Sequence, residues 1–252
     1  MKFAPLGMPW QLAAQASAPE PVAAVPETFP TEAPALVREM VSVAHGNMKR
    51  VRELVEARPA LVKAAWDWGF GDWESALGAA SHTGNREIAE YLIAHGARPT
   101  LFSATMLGHL DVVKAFIAAQ PGVQRIPGPH SISLLAHGKA GGAAAEAVRA
   151  YLESLGDAGS PPAAPLTEEE ATALAGAYTF GTGPADRIEV TATRGQLMFT
   201  RTGTTGRGLV HLGDHVFHPA GASAVRIRFA GEGAKTVMTV HDPDLVLTAR
   251  RV

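Results

Sequence analysis

Three short phrases recur in the first half of the chain: Ala44-His45-Gly46-Asn47, His82-Thr83-Gly84-Asn85 and Met106-Leu107-Gly108-His109. Each is followed by apolar residues at helical spacing, over residues 48–55, 86–93 and 110–117. A glycine that returns between amphipathic helices marks stacked helix pairs, because one pair cannot bury its apolar face alone. Such stacks commonly present binding surfaces, so the same pattern bounds the function as well as the fold.

The chain changes character at residues 156–165, where glycine, proline, alanine and serine appear without apolar periodicity, as in an inter-domain linker. Upstream the apolar residues recur at three and four. Downstream they alternate, at Ile188, Val190 and Ala192, at Leu197 and Phe199, at Val225, Ile227 and Phe229, and at Leu245 and Leu247. Glycine-containing turns separate these runs, and about seven or eight antiparallel strands in so short a stretch imply a small barrel or sandwich. The expected class is therefore α + β and multidomain. Residues 1–34 form a tail, 35–156 a helical solenoid, 157–165 the linker and 166–252 the all-β domain.

Ser75-Ala76-Leu77, the glycine turn at Gly84 and the helix end His95-Gly96-Ala97 together resemble an ankyrin repeat, with Ser75 placed to cap a helix as the family's threonine does. Pro59-Ala60-Leu61-Val62-Lys63 is similar to a segment common in bacterial ankyrin proteins, and Ser133-Leu134-Leu135-Ala136 offers a weaker fourth copy. The resemblance implies about four irregular repeats over residues 35–155. Their spacing is uneven: the glycines at 46, 84, 108 and 141 lie 38, 24 and 33 positions apart, against about 33 in a regular repeat. The first interval carries an enlarged hairpin finger and the second lacks one, which leaves a notch on the concave side.

That finger holds Trp66, Asp67, Trp68, Phe70, Asp72 and Trp73. Exposed aromatics on a projecting hairpin are candidate binding hot spots, and these six residues are the candidate partner-binding site. The alternative is that the rings fold back over core left bare by the missing neighbour finger.

In the second half, Leu174-Ala175-Gly176-Ala177-Tyr178 with the strands that follow resembles the lipocalin-like domains appended to bacterial β-lactamase-type serine hydrolases. The resemblance implies an accessory module. The S-x-x-K motif that would carry hydrolase chemistry is absent from the sequence, so the chain reads as non-enzymatic. The expected function is protein–protein interaction through the concave helical face and the aromatic finger, with small-ligand binding or sensing by the β domain as the alternative.

A net charge of −2 gives no reason to expect nucleic acid or an anionic membrane as partner. The absence of cysteine excludes disulfides, thiol nucleophiles and thiolate metal sites. His211, His215 and His218 sit close in sequence with Asp214, but strand side chains alternate and need not converge, so they are only weak metal candidates and neither metal nor cofactor is expected. His45, His82 and His109 lie at the inter-helix turns and His95 at a helix end, positions that explain them without chemistry. Phe180, Phe199, Phe217 and Phe229 are expected to fill the barrel, with Arg226 and Arg228 on its outer face. No stretch is long and apolar enough for a membrane helix. The first 18 residues fit either a thin export signal or an Ala/Pro-rich tail, so a periplasmic or secreted location and a cytoplasmic one both stay open.

Overall fold

The second, third and fourth helix pairs begin where a short polar side chain can take up free backbone amides. Ser75 accepts from the Gly78 amide at 3.0 Å, Thr100 forms a reciprocal capping box with Ser103, and Ser133 caps the helix that starts at Leu134. The computed structural model describes residues 27–243 and 245–252, so the N-terminal segment read as a tail or export signal falls largely outside the described residues. Residues 27–33 form a short turn-rich segment of their own, and Pro34–Val252 is one compact unit.

The helical part consists of α1 (Pro34–Val43) and α2 (Met48–Ala57), α3 (Ala76–His82) and α4 (Arg86–Ala94), α5 (Leu101–Met106) and α6 (Leu110–Ala119), and α7 (Leu134–Ala140) and α8 (Glu146–Leu155). A hairpin of β1 (Ala65–Asp67) and β2 (Trp73–Ser75) projects before α3, with Trp66 paired to Glu74. Between α4 and α5 the chain has no such hairpin. Gly84 and Gly108 recur for two reasons. Their φ angles, +73° and +81°, are costly for any residue with a side chain, and a Cβ there would stand 2.3 Å from the Ala140 carbonyl oxygen and 2.1 Å from that of Ala144. Both turns are therefore pressed against the last helix pair, at the end of α7 and the turn that follows it.

Met40, Val51, Leu61, Leu77, Ile88, Leu92 and Met106 fill one core, and Leu101, Val113, Leu134, Val148 and Leu152 a second. Burial of each such side chain contributes about 1.5–3 kcal/mol.

Residues 157–165 are tied at both ends. Ala158 is buried and its carbonyl accepts from the Leu135 amide at 3.0 Å, while the Ala164 amide donates to His211. A short helix, α9 (Glu168–Leu174), then packs Ala171 and Leu174 onto the core of a closed antiparallel barrel. Its strands are β3 (Gly176–Thr179), β4 (Arg187–Thr193), β5 (Gln196–Arg201), β6 (Arg207–Gly213), β7 (Val216–Pro219), β8 (Arg226–Ala230), β9 (Val237–Asp242) and β10 (Leu245–Arg251). Neighbours in sequence are neighbours in the sheet, and β10 closes on β3. Most of the alternating residues point as expected, although Leu245, in the last strand, is exposed. Phe199, Phe217 and Phe229 are buried and Arg226 and Arg228 exposed, while Phe180 is half-buried under the Arg201 guanidinium. No described helix is long and apolar enough to cross a membrane.

Candidate metal centre

Since α4 runs into α5 without a finger, the loop before α7 reaches across to the finger that is present. This loop carries His130, whose φ of +58° and that of Ser131, +60°, lie in the left-handed region that side chains other than glycine rarely adopt. Backbone held this way clusters at functional sites. The His130 amide donates to Asp72 Oδ1 at 2.9 Å, and its Nδ1 lies 2.6 Å from Asp72 Oδ2. The other ring nitrogen, Nε2, faces Glu74 Oε2 at 3.3 Å.

Two more imidazoles converge on the same carboxylate. His45, in the turn after α1, places Nε2 3.5 Å from Glu74 Oε2. Its Nδ1 lies 3.1 and 3.0 Å from the Val41 and Ser42 carbonyl oxygens. When the ring is neutral, those acceptors keep its proton on Nδ1 and leave a lone pair on Nε2. His82, the last residue of α3, brings Nε2 to 2.8 Å from Glu74 Oε1. That pair is out of hydrogen-bonding alignment. Both atoms are buried, and among the described residues neither has a hydrogen-bond partner. Trp68 Nε1 donates to Glu74 Oε2 at 2.8 Å and completes the surroundings of the carboxylate.

One ligand atom from each of His45, Glu74, His82 and His130 lies within 4.8 Å of the other three. A tetrahedral zinc ion with bonds of about 2.0–2.1 Å holds its ligand atoms about 3.3 Å apart, close to the contacts made with Glu74. Three imidazoles and a carboxylate suit zinc and its first-row neighbours and not the all-oxygen preference of magnesium or calcium. Asp72 behind His130 provides the carboxylate support that metal-bound histidines usually have on the far ring nitrogen.

The electrostatics follow from burial and pairing. Burial pushes the Glu74 carboxyl up, but the contacts with His130 and His82 and the charges of His130 and His45 prevail and hold it at about 2. Burial likewise pushes His130 down, yet its bonds to Asp72 and Glu74 raise it to about 9. Without metal, His130 is therefore a cation bridging two carboxylates. A metal ion on Nε2 would take the place of that proton. Asp72, buried but bonded to His130 and to the Arg207 guanidinium, stays below the usual carboxylate range. Behind His82, His137 is fully buried with Nδ1 2.8 Å from Ser81 Oγ, and burial with the charge of His82 lowers it to about 4.

The centre faces the barrel. Arg207, at the start of β6, pairs with Asp72 and donates to the Ala220 carbonyl at 2.7 Å, and the Gly221 amide donates to Ser131 Oγ at 2.7 Å. His45 and His130 line a cavity of about 300 Å³ together with Trp68, Thr205, Arg207 and Ala220.

No protein-family model, curated protein or solved structure matches this chain.

The six finger residues take different roles. Trp66 and Trp68 pack on the helical core, and Phe70 packs on the barrel core with its ring 6.0 Å from that of Phe199. Asp67 accepts from the Gly69 amide, Asp72 supports His130, and Trp73 alone of the finger's four aromatics is strongly exposed, at 64%. His211, His215 and His218 do not join the converging group. His211 stacks on Phe217 with Nδ1 at the Pro165 carbonyl, His218 Nδ1 faces the Pro219 carbonyl, and His215 sits in the turn between β6 and β7. The converging residues themselves carried little local signal. His45 and His82 read as turn residues, and nothing near His130 in sequence points to Glu74. The available clue was register: His45 and His82 close the first helices of successive pairs, and corresponding positions of stacked repeats lie beside each other.

Proposed function

We propose that the protein binds one divalent transition-metal ion of the zinc class through His45, Glu74, His82 and His130, and presents it to the adjoining cavity. The reading rests on one observation, the convergence of four ligand atoms, with Glu74 Oε1 and His82 Nε2 buried close together but without a hydrogen bond among the described residues. Buried polar atoms without partners are rare, and two such atoms 2.8 Å apart are accounted for by a cation that both would bind. The test is elemental analysis of the full chain after exposure to zinc and desalting. About one zinc per chain is expected, with a tetrahedral visible spectrum on cobalt substitution. His82→Ala and Glu74→Gln, checked by circular dichroism, should lose it. A folded wild-type chain that retains no zinc, or variants that retain as much, would overturn the assignment.

A second reading is favoured by the exposure of Trp73. In this reading the helix pairs are of ankyrin type, the barrel is an accessory module of the lipocalin-like kind, and the helical face carries a protein partner. Trp73→Ala should then abolish capture of that partner from native extract without changing the melting temperature. Unchanged capture refutes it.

A further inference from the structure

A second cavity, of about 200 Å³, adjoins the one beside the metal centre. It is lined by Trp68, Phe70, Phe199, Arg201, Thr205 and Arg207, and it shares Trp68, Thr205 and Arg207 with the first. The two form one cleft between the finger and the barrel. Its outer lobe is aromatic, and its inner lobe holds His45 and His130.

Arg207 stands where the lobes meet. It is only 7% exposed, and its Nη1 serves both Asp72 and the Ala220 carbonyl. Its Nη2 has no hydrogen-bond partner among the described residues. A guanidinium this deep normally has every donor satisfied. Arg38 adds a second cation at the rim, 6.0 Å from the Trp68 ring and with Nη2 3.5 Å from Thr205 Oγ1. Once a divalent ion is bound, the positive charges of the ion and Arg207 exceed the two negative charges of Asp72 and Glu74. The inner lobe then favours an anion, and the outer lobe favours a flat apolar group.

We propose that the cleft binds a small organic carboxylate, with its acid group in the inner lobe beside the metal ion and Arg207 and its apolar body along Trp68, Phe70 and Phe199. This rests on the metal reading above. Zinc can expand to five ligands, so the acid group can reach the ion without displacing a protein ligand. The guanidinium offers the planar pair of donors that carboxylates match best.

The test uses the zinc-loaded full chain, its zinc content measured first, titrated with 3-phenylpropionate and separately with 3-phenylpropanamide while tryptophan fluorescence is followed. Saturable binding of the acid is expected, with the neutral amide at least about tenfold weaker, a difference of about 1.4 kcal/mol. A zinc-loaded protein that binds acid and amide alike, or binds neither, overturns the carboxylate site and leaves the metal reading standing. A chain that takes up no zinc overturns both.

Discussion

Asp72→Asn isolates what holds the finger, the His130 loop and the barrel together. The carboxylate is buried and meets three donors, the Arg207 guanidinium, the His130 amide and His130 Nδ1. Asparagine keeps one acceptor oxygen, but its amide group must face one of those donors with a donor of its own. It also removes the negative charge that balances a buried guanidinium. Breaking such a pair by changing one partner costs about 3–5 kcal/mol, mostly because the other charge stays buried and unpaired. Urea denaturation followed by tryptophan fluorescence measures this loss directly. In an Arg207→Met background the buried cation is gone, so Asp72→Asn should cost at least about 1.5 kcal/mol less, and the difference is the coupling energy. The zinc affinity of Asp72→Asn should fall about 10- to 100-fold, the usual effect of removing the carboxylate behind a metal-bound histidine. A loss of stability under about 1 kcal/mol, equal in both backgrounds, would refute the idea that this charge pair joins helices to barrel.

Three further outcomes are expected. Gly108→Ala and Gly156→Ala strain nearly the same backbone, φ +81° and +76°, but only the first places a Cβ against packed backbone. Gly108→Ala should be the worse by about 1–3 kcal/mol in the same denaturation assay, and equal losses refute the close-approach argument. In the metal-free protein His137, held at about 4 against 6.5 in the unfolded chain, stabilises fully above pH 6.5. That contribution, on the order of 3 kcal/mol, is lost as pH falls toward 4. The stabilisation from His130, raised to about 9, is complete below pH 6.5 and lost as pH rises through 9, so denaturation midpoints should peak near pH 6.5, with His137→Leu flattening the acid limb. Zinc at about a hundredfold over its dissociation constant should stabilise by about 2.7 kcal/mol and raise the melting temperature by about 5–10 °C, reversibly with chelator.

Local pattern carried far into the fold. The helix pairs with their glycine turns, the Ser75 cap, the enlarged finger beside a missing one and the alternation of the barrel strands all express neighbour-to-neighbour physics, which a linear reading captures. The site does not. Glu74 is a partner of Trp66 in a hairpin, His130 meets it from more than fifty positions away, and Arg207 comes from the barrel. The missing finger was legible, but its consequence was not, because only the folded chain reveals that the loop before α7 crosses the gap. The aromatics divided between packing and exposure for a similar reason: Phe70 has a barrel to pack on, and Trp73 has not.

Arg207 opposes Phe199 across β5 and β6, on the same side of its strand as buried Leu209 and His211. Side chains alternate along a strand, so a slip of one residue in this hairpin would carry the guanidinium to the opposite face and bring Gly208 in its place. Asp72 would then face an uncharged wall. The pairing of two barrel strands, ordinarily a matter of folding alone, thereby decides whether a carboxylate in the helical half has a counter-charge from the barrel. If the proposed site binds as expected, ligand affinity would report correct barrel closure, and mutations in the loop at residues 202–206 would weaken binding without touching any residue that lines the site on the helical side.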